Sequence, residues 1–319
     1  MRVLLFILIL SGTLSAADWP QWLGPERDAV WREDGILNAF PKEGPKLRWR
    51  APVGGGYSGP AVAQGRVFVM DRIAELIDPA KAKVLHEGPP PRNENFLRKL
   101  FPGQERLLCL DEATGRVLWT QQWDCPYTTV ATYAIGPRAT PTVDGDRVYA
   151  LGAEGHLFCF AAKDGALVWQ KDFKKAYNLE IPEWGTAAHP LVDGDRLICV
   201  VGGAGTTCVA FDKRTGKELW RALTSRQPGY CPPVIHTFGG LRQLIIWHSD
   251  AVEALNPQTG KVYWSVPLRP TFGMSIGHPV AAGNRLFVMS FNRVSACIEV
   301  AAGGQSAQIA WRGNTRRGA

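Results

Sequence analysis

Four stretches of the chain repeat one pattern: LDEATGRVLW from Leu110, FAAKDGALVW from Phe160, FDKRTGKELW from Phe211 and LNPQTGKVYW from Leu255. Anchored on Gly115, Gly165, Gly216 and Gly260, each has a tryptophan four residues on: Trp119, Trp169, Trp220 and Trp264. Thr114, Asp164, Thr215 or Thr259 stands one residue before the glycine, and Asp111, Ala161, Asp212 or Asn256 four before. Six before, the residue is always small: Cys109, Cys159, Ala210, Ala254. An eroded fifth copy fits the frame with Ala301, Gly303, Ser306 and Trp311. The repeat therefore constrains shape position by position.

Asp or Asn opening a tight turn and Gly closing it predict a hairpin in each copy. The flanks are apolar or alternating, as strands require. Upstream of each copy lies a second hairpin pattern: PAVAQGRVFVM from Pro60, PTVDGDRVYAL from Pro141, PLVDGDRLICV from Pro190, PPVIHTFGGLRQLIIW from Pro232 and PVAAGNRLFVM from Pro279. Two hairpins make a four-stranded sheet. The tryptophans at 119, 169, 220, 264 and 311 recur at the period of propeller blades. An all-β propeller of four-stranded blades is predicted.

The pattern of strand, turn, strand and A-x-D-x-x-T-G-x-x-x-W resembles the pyrroloquinoline-quinone (PQQ)-type repeat, shared by quinoprotein alcohol dehydrogenases and the outer-membrane assembly protein BamB. It covers roughly residues 46–312. The stretches DWPQWLGPERD, GGGYSGPAV, GPRATPTVDGDRVYALGAEG and RQLIIWH are similar to exported PQQ-like propellers of unassigned activity. This resemblance implies two functional classes. One is a non-catalytic binding or scaffold module for protein or small-ligand partners. The other is a PQQ- and calcium-dependent oxidoreductase of the alcohol dehydrogenase type, with a calcium site of Glu, Asn and Asp, a catalytic Asp base, an aromatic floor and, in many members, an adjacent Cys pair. That Cys pair is absent here.

Blade counting leaves a remainder. Lys46 to Val53, KLRWRAPV, carries Trp49 in an outer-strand pattern with no inner strands before it, while Gly313 to Ala319 is too short to supply three more strands. A ring of seven or eight blades with five visible is expected, the competing arrangement being a compact five-bladed ring. Residues 71–105 interrupt the first blade, with short helical pieces expected on either side of GPPPR; with the blade loops, this insertion is the predicted contact surface for protein partners. The glycine run Gly54 to Gly56 lacks the following helix that a phosphate-binding loop needs.

The chain starts MRVLLFILILSGTLSAADW, a basic residue, a short apolar run and small residues, which predicts a signal peptide over 1–17. Residues 18–45 read as an N-terminal extension and 46–319 as the partial propeller. A periplasmic or secreted monomer is expected, without a lipidation Cys or transmembrane segment. The formal charge of +7 is scattered, which excludes a polybasic nucleic-acid surface. Seven cysteines lack any CxxC; Cys109 and Cys159 occupy the small-residue slot, Cys199 and Cys208 flank one hairpin as a possible pair, and a Cys125–Cys231 link is a weaker alternative.

Candidates for chemistry are few. Asp124 and Glu183 lie in interblade loops where oxygen ligands for calcium are conceivable. His189 and His278 each precede the proline that starts an innermost strand, which aims both at one end of the central channel as candidate metal ligands or proton carriers; the competing reading bonds them to backbone. The repeated Asp, Gly and Trp positions are read as architecture.

Overall fold

A computed structural model describes residues 17–35, 37–74, 78, 80–130, 134–292 and 294–313. The signal-peptide reading falls almost wholly outside them. Five four-stranded antiparallel sheets follow one another in chain order. Blade 1 comprises β1 Ala61–Ala63, β2 Arg66–Ala74, β3 Gly103–Asp111 and β4 Val117–Asp124. Blade 2 comprises β5 Thr142–Asp144, β6 Arg147–Leu151, β7 His156–Ala161 and β8 Leu167–Asp172, followed by α1 Phe173–Tyr177. Blade 3 has β9 Leu191–Asp193, β10 Arg196–Val200, β11 Cys208–Asp212 and β12 Glu218–Ala222. Blade 4 has β13 Val234–Phe238, β14 Leu241–Trp247, β15 Ala251–Leu255 and β16 Val262–Pro267. Blade 5 has β17 Val280–Ala282, β18 Arg285–Met289, β19 Ser295–Val300 and β20 Ala307–Arg312.

Strand alternation sends each sheet's side chains to two different neighbours. Tyr149, Leu151 and Cys159 enter a core shared with blade 3, while Val148, Ala150, Phe158 and Phe160 enter one shared with blade 1. Further cores join blades 3 and 4 and blades 4 and 5. Blade 5 buries Leu286, Val288, Ala296 and Ile298 against blade 4, but Val280, Phe287, Met289 and Trp311 on its other side are exposed. Among the described residues the ring is open there.

The repeat's chemistry is visible in the turns. Asp111 Oδ1 accepts from Thr114 N at 2.9 Å and Thr114 Oγ1 at 2.6 Å, and these bonds hold its carboxyl below the usual range. Gly115, Gly165, Gly216 and Gly260 sit at φ between 69° and 75°. In the fifth copy Gly304 (φ 71°), not Gly303, takes the left-handed conformation. The small residue has a sharper role than room for a neighbouring blade. Cys109, Cys159, Ala210, Ala254 and Cys297 are the cross-strand partners of Trp119, Trp169, Trp220, Trp264 and Trp311, and a register shift follows each. A bulge beside a tryptophan leaves space for little more than a methyl or thiol.

Three sequence expectations need correction. Residues 71–74 and 103–105 belong to β2 and β3, so the excursion is shorter than 71–105, and its described part holds a 3₁₀ turn at Glu94–Phe96 rather than two helical pieces. Cys199 and Cys208 face opposite sides of blade 3, one in the core with blade 2 and one in the core with blade 4, so they do not pair. Cys125 and Cys231 are unpaired as well, beside His156 and the Gly277 carbonyl respectively.

Candidate functional site

Every innermost strand starts at the same end of the assembly, so the connectors leading into them converge there. Tyr57 precedes blade 1, Arg138 blade 2, Trp184 and Ala187 blade 3, Tyr230 blade 4, and Met274 and Ile276 blade 5; together they line one largely apolar recess of about 320 Å³. Arg138 places its guanidinium 5.2 Å from the Tyr57 ring centre, and Trp184 tilts against Tyr230 at 5.6 Å. Burial lowers the Arg138 pKa from its ordinary value. Tyr57 and Ile276 of this lining are exposed, and so are Ile135 and Phe272 in the connectors into blades 2 and 5, Phe272 by 70%. Phe272 is held out by a backbone at φ 57°, a conformation that costs a bulky residue free energy and that the surroundings must impose.

Beneath the recess a buried polar network ties blades 1 and 2 to the insertion. Glu105 is fully buried; it accepts from the Tyr127 hydroxyl, from Ala153 N at 2.9 Å and from Trp123 Nε1 at 3.2 Å. Burial and the adjacent Glu105 carboxylate push the Tyr127 hydroxyl well up. Arg72 stacks over Tyr127 at 4.0 Å and donates to the carbonyls of Ala134 (2.9 Å), Phe101 (2.6 Å) and Pro102 (3.0 Å). Glu154 accepts from Thr128 N at 2.7 Å and from Lys174. These bonds anchor the C-terminal end of the insertion next to the mouth.

The hub itself is threaded by the segment read as an extension. Trp19 pairs with Val62 in blade 1, the Pro20 carbonyl accepts from Val143 in blade 2, and Arg27 donates to Pro190 (2.9 Å) and His189 (3.3 Å) of blade 3 and Pro233 (3.3 Å) of blade 4. Trp22 stacks on His189 at 4.6 Å and meets His278 of blade 5 edge-on at 5.3 Å. The two histidines thus do lie at the hub, gathered around one indole. His189 Nδ1 accepts from Thr140 N at 2.8 Å, a backbone bond. Burial drives the His189 imidazole down to about 3 and that of His278 to about 4.

The donor set for calcium under a quinone is not assembled here. Asp124 accepts from Gln104 Nε2 at the outer end of β4, Glu183 lies half-buried in the blade 3 connector, and the nearer carboxylates Glu105 and Glu154 are already bonded to protein donors. No three His, Cys, Asp or Glu side chains come together as a metal-binding group among the described residues. The mouth supplies aromatic rings and an arginine, without the ligand set that calcium requires.

Sequence reasoning missed Trp22, Arg27, Glu105, Tyr127, Trp184 and Tyr230. One available signal was Glu105, a carboxylate one residue, Arg106, away from the apolar LLCL of β3.

A family profile described as "Outer membrane protein assembly factor BamB" matches residues 103–315. The chain belongs to that PQQ-repeat propeller family. Outer membrane protein assembly factor BamB of Burkholderia pseudomallei (strain K96243) is 29% identical over 195 residues, 60% of this chain and 45% of that protein. A polyvinylalcohol dehydrogenase of Pseudomonas sp. is 28% identical over 93 residues, 28% of this chain and 13% of that one. The chain therefore spans less than half the length of these curated relatives. The quinohemoprotein alcohol dehydrogenase of Comamonas testosteroni superposes with a TM-score of 0.59 at 16% identity, over 89% of this chain and 48% of that one, a likeness in fold alone. No helix among the described residues is long and apolar enough to cross a membrane.

Proposed function

We propose that the chain is an exported, non-catalytic binding module whose protein partner docks on the apolar mouth. The observation that carries this reading is the convergence of connectors from all five blades on one recess whose lining includes exposed Tyr57 and Ile276, with Ile135 and Phe272 exposed in the same connectors. Exposed apolar side chains in the connectors at one end of the fold suit a protein contact, and an aromatic pocket with one arginine is the usual composition of an interface centre. The blade turns at the opposite end are polar by contrast: Gly145-Asp146, Gly194-Asp195 and Gly283-Asn284. Similarity to an assembly factor and the leader-like N-terminus support an exported scaffold, which we read as a monomer with the anchored insertion flanking the contact surface.

The test pairs two substitutions with one titration. Phe272→Asp and Ile276→Asp are both at exposed positions, so they should leave the unfolding free energy within about 0.5 kcal/mol of wild type while abolishing partner retention by immobilised protein. Titration with PQQ and calcium, followed by quinone absorbance and alcohol-dependent dye reduction, addresses the oxidoreductase class: turnover there would replace the binding-module reading.

A further inference from the structure

Beside His278, the hub holds a second space of a different kind. Its volume is about 630 Å³, and its walls are the N-terminal segment around Arg27, Asp28 and Arg32 and the innermost strands of blades 3, 4 and 5. The carboxylates Asp28 and Asp193 at this cavity are each taken by a neighbouring arginine: Asp28 by Arg32 Nη1 at 3.1 Å and Asp193 by Arg242 at 2.6 Å. Glu26 sits at the rim, exposed.

Arg27 is the exception. It is 6% exposed, and its described bonds go only to neutral acceptors: Gln21 Oε1 at 3.1 Å and the carbonyls of Pro190, His189 and Pro233. Its Nε is buried with no hydrogen-bond partner. A buried guanidinium without a counter-charge is unfavourable unless an anion completes it. On the same cavity, His278 Nδ1 is also buried and unpartnered, with its ring 6.5 Å from that of His236. A cation is disfavoured here, because Asp28 and Asp193 are engaged by arginines, Glu26 stands exposed at the rim and Arg27 repels it. An oxyanion in this cavity meets Arg27 and His278, which both line it.

We propose that this hub cavity binds a small oxyanion, a carboxylate or a phosphate, between Arg27 and His278. A volume of this size lies within the range of small-ligand sites. The anion neutralises Arg27 and locks the N-terminal segment against blades 3 to 5. It shares no lining residue with the mouth recess, so it stands or falls independently of partner docking.

The experiment is calorimetric titration of the purified chain with sodium malonate and, separately, with inorganic phosphate, each against sodium chloride at matched ionic strength. Saturable binding of either probe is expected, with a rise in the thermal midpoint that chloride does not give; the tighter probe names the class. His278→Phe keeps a ring in place but removes the donor and should weaken binding at least fivefold; Arg27→Gln should weaken it more than tenfold. If Arg27→Gln does not fold, His278→Phe and the wild-type titrations decide the matter. Two results overturn the proposal: no saturable heat or midpoint shift beyond chloride with either probe, or an affinity that His278→Phe leaves unchanged.

Discussion

The indole of Trp119, on the outer strand of blade 1, covers Gly165 in the turn of blade 2 and donates its N–H to the Ala162 carbonyl at 3.1 Å. Trp169 meets Gly216 and Trp220 meets Gly260 in the same way, with their N–H groups on the Lys213 and Pro257 carbonyls. Trp49 meets Gly115 likewise, donating to Glu112 at 2.7 Å, so the outer-strand pattern of residues 46–53 docks where a preceding blade's tryptophan would. Trp264 reaches the next blade indirectly, through Gln243, whose amide donates to Gly304. Trp311 is 47% exposed.

A methyl group at Gly165 would stand 2.7 Å from the Trp119 ring and on a backbone at φ 75°. Gly165→Ala is expected to cost about 2–4 kcal/mol, combining strain with loss of the indole contact. Gly145→Ala is the control, since φ is 56° but nothing lies within 4 Å, so backbone strain alone of about 1 kcal/mol applies. Urea unfolding of both variants checks the difference. Equal losses would show that the indole contact adds nothing to backbone strain.

Removing Arg27 strips the donors from three carbonyls on blades 3 and 4. Arg27→Met is expected to destabilise by about 3 kcal/mol, because buried acceptors are left unpaired. Hydrogen exchange should localise the loosening to residues 18–29 and to the starts of β9 and β13. A variant with wild-type protection there would show that the segment does not hold the hub.

Glu105→Gln turns an acceptor-only group towards donors from Tyr127, Ala153 and Trp123. One amide hydrogen must then face a donor, at an expected cost of about 2–3 kcal/mol. Urea unfolding measures the loss, and near-ultraviolet circular dichroism, to which Trp123 and Tyr127 contribute, should change with it; an unchanged spectrum with unchanged stability would contradict the network.

His189 and His278 are both depressed below the ordinary histidine value of 6.5, chiefly by burial, with Arg27 adding to each. His236 lowers His278 further, and Asp28 acts in the opposite direction. Both rings are neutral in the native hub, whereas the unfolded chain takes up protons below pH 6.5. Stability is therefore fully present above that value and is lost as pH falls from 6.5 towards 4, by about 2 kcal/mol from His189 alone over the first 1.5 pH units, with His278 adding a loss in the same direction. His189→Asn keeps an acceptor for Thr140 N and cannot ionise, so it should flatten the slope in that window. A slope identical to wild type would refute the assignment.

The blades were readable from sequence because turn glycines, cross-strand tryptophans and strand alternation are local and periodic. The hub was not, because residues 18–29 follow no period and take their conformation from Val62, Val143, Pro190 and Pro233, distant in the chain. The shared position of His189 and His278 before a proline was legible, but the indole between them comes from that aperiodic segment. Cys199 and Cys208 illustrate register, since proximity in one hairpin says nothing of which face each thiol takes. Trp184 and Tyr230 sit in irregular connectors, where convergence appears only once five blades are arranged around an axis.

The measurement that bears most directly on the proposed binding role is site-specific photo-crosslinking in the exporting cell, with a benzophenone side chain at Ile276 in the mouth or at Gly145 in a turn at the opposite end. A discrete protein adduct from position 276, absent from position 145 and abolished by Phe272→Asp, is the predicted result. Adducts of equal yield from both positions, or none from the mouth with the protein folded and exported, would contradict it.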